Sequence, residues 1–150
     1  MTIDWDQTYA RSCNETLHSI VELADGHFLI AGAQYRDKDQ IIGSSFAIVD
    51  SRGRIVEDMT AKYRLFSISA LGRIKSGGIV IAGRATANDP LSIITIDDVR
   101  APLPKSSVVI GTAPTVSAII ELPGGQLAVA GSQSVGKRRV PWLAVQPKPN

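Results

Sequence analysis

The sequence predicts an all-β fold: three consecutive four-stranded antiparallel sheets in a single domain, residues 1–150. Three observations predict it. A fifteen-residue segment recurs three times without gaps, at residues 18–32, 69–83 and 117–131. Each copy consists of two apolar runs joined by a tight-turn dipeptide, and no stretch of the chain sustains a helical period.

Within each copy the elements follow in order. The first apolar run ends at Asp25-Gly26, Ser76-Gly77 or Gly124-Gly125, dipeptides that supply the positive φ angles of a hairpin turn. The second run closes on Ala31-Gly32, Ala82-Gly83 or Ala130-Gly131, where a missing side chain leaves room for close backbone approach. A polar loop leads to a third strand at residues 45–50, 92–97 and 141–146. A fourth is expected near residues 54–60, after the turn Ser51-Arg52-Gly53, and near residues 106–112. Frequent Gly and Pro rule out long helices. The repeats therefore span about 16–64, 65–113 and 114–150, each the size of a propeller blade. Their strands are apolar on both faces, as sheets lying between neighbours should be.

The unit, with Ser19-Ile20, Asp25-Gly26 and Ala31-Gly32 as its landmarks, resembles the bacterial β-propeller repeats of the delta-sixty-like and kelch-like types. The resemblance covers nearly the whole chain and implies a fold, not an activity. The linker at residues 98–104 departs from the pattern and weakens the expectation of an outer strand in the second unit.

The chain tips carry a further expectation. The third unit runs out after its third strand, at Pro147-Lys148-Pro149-Asn150, because proline lacks the donor a paired strand needs. At the other tip, residues 3–9 form a spare strand, so residues 1–10 read as a permuted outer strand. Three blades do not close a ring, whereas six do. The expected assembly is a homodimeric six-bladed propeller in which each N-terminal strand completes the partner's third blade. Trp5 and Trp142 would then meet across the two chains.

Composition bounds the function. A 16.0 kDa chain with 44% apolar and 20% charged residues is globular. Sixteen basic against fourteen acidic residues give a net charge of +2, which points to neither a nucleic-acid partner nor a membrane surface. A single cysteine, Cys13, excludes an intrachain disulfide and a cysteine metal cluster. No signal sequence or membrane span is recognisable, so a cytoplasmic location is expected.

No catalytic constellation emerges. His18 and His27 lie near opposite ends of their hairpin and have no cluster of further ligands, so no metal and no cofactor is expected. Asp25, Asp50 and Asp97 fall at strand ends, where aspartate stabilises turns. Two groups of candidate site residues remain. Tyr35, Arg36 and Lys38, Arg84 and Asn88, and Lys137, Arg138 and Arg139 occupy equivalent loops on one face of the expected ring. His18, Ser69 and Ser117, and likewise Glu22, Arg73 and Glu121, are equivalent inner-strand positions that would line the channel. These imply a non-catalytic module binding a protein or small ligand, possible roles including an inhibitor or toxin-neutralising immunity protein. The alternative is a hydrolase or lyase with its site at the channel mouth.

Overall fold

Hairpins organise the chain, and the reason is local. In a computed structural model, which describes residues 6–9, 13–36, 40–61, 65–75, 77–100, 106–111 and 115–146, Gly26, Gly77 and Gly125 take the positive φ values their turns require. The same pair of backbone hydrogen bonds closes all three hairpins. Leu23, Ile74 and Leu122 each donate across the turn to His27, Gly78 and Gln126 and accept from the turn glycine.

Eleven strands and no helix are found among the described residues. The first sheet has the order β1 (Asn14–Glu22), β2 (Phe28–Tyr35), β3 (Ile41–Val49), β4 (Ile55–Asp58). The second follows as β5 (Ser67–Arg73), β6 (Ile79–Arg84), β7 (Leu91–Ile96), β8 (Ser106–Gly111). The third holds β9 (Thr115–Glu121), β10 (Leu127–Val135) and β11 (Arg138–Gln146), with β11 at its edge. Every pairing is antiparallel.

Alternation along the strands decides how the sheets pack. Leu29, Ala31, Phe46 and Ile48 of the first sheet meet Ile79 and Ile81 of the second in one core. Val80, Ala82 and Ile93, on the other face of that second sheet, meet Val116, Leu127 and Val129 of the third. The second sheet is thus buried on both faces, as the sequence suggests for all three.

The outer two differ. Ile30, Ala47 and Val49 face away from the second sheet, and beside them Ile20, the partner of Ile30, is 61% exposed. On the far face of the third sheet Ile120 and Leu143 are 60% and 70% exposed. These apolar faces have the composition of the buried ones, but among the described residues no neighbouring sheet covers them.

The expected N-terminal strand lies mostly outside the described residues, which include only its residues 6–9. Those four are not in a strand. Tyr9 packs on the outward face of the first sheet, beside Ile30, Ala47 and Val49, and its hydroxyl donates to the Gly53 carbonyl at 2.7 Å. Trp5 is outside the described residues, and Trp142 packs against the core between the second and third sheets.

Candidate binding site

The first strand of each sheet, β1, β5 and β9, carries an irregularity at the same place. In β1 the register passes from Leu17, opposite Gly32, to Ser19, opposite Ala31, and skips His18. In β5 it skips Ser69, and in β9 it skips Ser117. Each strand has a one-residue β-bulge, and a bulge re-aims the side chain it frees from the ladder.

The Ala-Gly pairs make this geometry possible. A Cβ on Gly32 would fall on the Thr16 carbonyl, and one on Gly131 on the Thr115 carbonyl. At Gly83 it would stand 2.7 Å from the Ser67 oxygen. Only glycine lets the bulged backbone come so close.

The three freed side chains converge. His18, Ser69 and Ser117 line one concave site of about 500 Å³, joined by Tyr35 from the end of β2 and Arg84 from the end of β6. Ser67 and Thr115 add two more hydroxyls, while Ala33, Ile41, Ile68 and Val116 supply apolar wall. Thr16, exposed beside this lining, donates from Oγ1 to the Tyr35 hydroxyl at 3.4 Å and lies 3.2 Å from His18 Nε2. Arg84 is held in place as it donates to the Asp89 carbonyl at 2.6 Å. Arg139 approaches from β11 and donates to Thr115 Oγ1 at 2.7 Å. Among the described residues the lining contains no carboxylate side chain.

Other expected residues lie elsewhere. Glu22, Arg73 and Glu121 sit four residues further along the inner strands, about 13 Å at strand rise, and do not line this site. The Glu121 carboxylate accepts the backbone N–H of Lys75 instead. Arg36 and Asn88 are exposed, and Lys38 is outside the described residues. The basic stretch expected as a loop is largely strand. Gly136, at φ 59°, and Lys137 form a two-residue turn, so Arg138 and Arg139 already belong to β11.

The polar lining residues that sequence reasoning missed are Ser67 and Thr115, which, like Thr16 beside the site, precede the bulged positions by two. Their signal was a hydroxyl at the same offset in every repeat. Cys13 lies just before β1 with its sulfur 3.8 Å from Glu15 Oε1. Among the described residues no three His, Cys, Asp or Glu side chains gather as metal ligands would, and no helix is long and apolar enough to cross a membrane.

Electrostatic effects at the opposite end are structural. Asp25 is held below the usual carboxylate range mainly by the His27 backbone N–H, with help from Arg100, whose guanidinium is 3.1 Å from Asp25 Oδ2. Compared with known family models, curated proteins and solved structures, the chain matches none.

Proposed function

We propose that this chain is half of a six-bladed β-propeller, closed by a second copy, and that the ring is a non-catalytic binding module. The observation that carries the binding reading is the delivery of His18, Ser69 and Ser117 into one cavity by three equivalent bulges. Bulges at equivalent places, each permitted by an opposing glycine, build a site from side chains that the strand ladders do not use.

Ring closure is supported by the two outward faces. Inside the chain, faces of the Leu29–Ala31 type meet faces of the Ile79–Ile81 type. The third sheet ends on a face of the first type, with Ala128 and Ala130 paired to Val145 and Leu143. The first sheet begins on a face of the second type, with Phe28 and Ile30. A second copy joined head to tail offers each face its complement, and repeating that contact once closes a two-fold ring. Burying Leu143 and its neighbours contributes about 1.5–3 kcal/mol for each large side chain. Tyr9 packs on the face that the partner's third blade would cover in this reading.

Native mass spectrometry tests closure. The expected species has twice the 16.0 kDa chain mass, and Leu143→Glu should return it to a single chain. A folded wild-type monomer at micromolar concentration overturns the ring. Ligand-observed NMR tests the binding reading with a panel of neutral, cationic and anionic small molecules and short peptides. The expected result is an unaltered bound component that Ser69→Phe, which fills the cavity, displaces. Conversion of a panel member, or no bound member, overturns it.

A further inference from the structure

Resting on the reading of this cavity as a binding site, we infer that its ligand is a monosaccharide-sized molecule carrying an oxyanion on a polyhydroxylated frame, a sugar acid or sugar phosphate. The volume of about 500 Å³ suits a small metabolite rather than a protein loop. What the walls offer then narrows the chemistry.

Hydroxyl groups dominate the polar lining. Tyr35, Ser67, Ser69, Thr115 and Ser117 contribute five, from three sheets. A hydroxyl both donates and accepts, so a ring of them matches a ligand whose own groups also do both. Sugar hydroxyls have that property; a simple cation or an aliphatic acid does not.

The charged groups set the sign. Arg84 lines the cavity, and Arg139 stands at its edge against Thr115. A guanidinium recognises carboxylate and phosphate oxygens through paired donors. With Arg84 in the lining, Arg139 at its edge and no carboxylate among the described lining residues, an anion meets attraction there. A cationic ligand would meet the reverse. His18 adds an imidazole, oriented by its contact with Thr16. The apolar patch of Ala33, Ile41, Ile68 and Val116 gives the carbon face of such a ring a dry surface.

Isothermal titration calorimetry on the full chain, with glucuronate, glucose 6-phosphate, glucose and inorganic phosphate as probes, tests the inference. The two anionic sugars separate carboxylate from phosphate as the source of the charge. At least one should bind about tenfold or more tightly than glucose, the scale of one charge-assisted hydrogen bond, and more tightly than phosphate alone. Arg139→Gln should weaken the anionic sugar about tenfold and glucose by less. Arg84→Lys, which retains the charge but not the fork, should weaken it less than Arg84→Gln. Ser69→Ala with Ser117→Ala should weaken the sugars but not phosphate. Equal affinity for glucose and the anionic sugars, or no binding by any probe, overturns the ligand assignment. The separate outcomes are distinguishable. A neutral or cationic panel member displaced by Ser69→Phe preserves the binding site while removing this ligand class, and native mass spectra of the same samples report on the ring independently.

Discussion

At the scale of single residues, the glycine across from each bulge is the least replaceable feature of the sheet. Gly131→Ala would put a methyl group on the Thr115 carbonyl, where backbone rather than a flexible side chain must yield. It should cost at least about 2 kcal/mol in urea unfolding. Gly124→Ala, only four residues beyond the end of the inner apolar run at Ile120, meets Gln126 Oε1 at an ordinary 3.8 Å and should change stability by less than about 0.5 kcal/mol. Equal costs for the two would mean that the close approach is not what constrains position 131. The importance of the Ala-Gly pairs was legible in the sequence because they recur. The bulge itself was not, since strands apolar on both faces have no clean alternation for an extra residue to interrupt. His18, Ser69 and Ser117 could be aligned with one another, but only the backbone joins them to Tyr35 and Arg84.

At the scale of an element, the turn between β3 and β4 shows how one side chain organises a connection. Asp50 Oδ1 accepts the backbone N–H groups of Arg52 and Arg54, each at 2.9 Å, and Oδ2 pairs with the Arg54 guanidinium at 2.7 Å. The Arg54 backbone N–H is the largest cause of a carboxyl held below its ordinary range. A depressed folded value contributes stability above the unfolded value, near pH 4, and that contribution is lost as the pH falls through the folded one. Asp50→Asn should therefore lower the melting temperature at pH 6 and flatten its decline between about pH 4 and pH 2. An unchanged acid limb in this variant would rule out Asp50 as its source. The sequence made this turn readable, because aspartate before Ser-Arg-Gly is a local signal. It misplaced the basic stretch at residues 136–139, where a two-residue turn extends both strands through what reads as a polar loop.

At the scale of the whole molecule, burial is uneven from sheet to sheet. β6 has apolar neighbours on both faces, whereas β1 and β11 have an open face. Amide hydrogen exchange should be slowest in Ile79–Arg84 and faster in β1 and β11. Leu143→Glu should speed exchange in β10 and β11 and leave β6 nearly unchanged. Uniform protection across the three sheets would contradict this gradient. The expectation that every sheet is covered on both sides followed from strand composition, and composition cannot distinguish a face buried within the chain from one awaiting a neighbour.

The skipped positions have a consequence for how recognition can change. His18, Ser69 and Ser117 belong to none of the three packed cores and to no cross-strand pair. Under the proposed binding reading, substitutions there would alter selectivity while folding is left to other residues. A repeated unit that varies at this one position, imidazole in one copy and alcohol in two, would on that reading gain new specificity without a new fold.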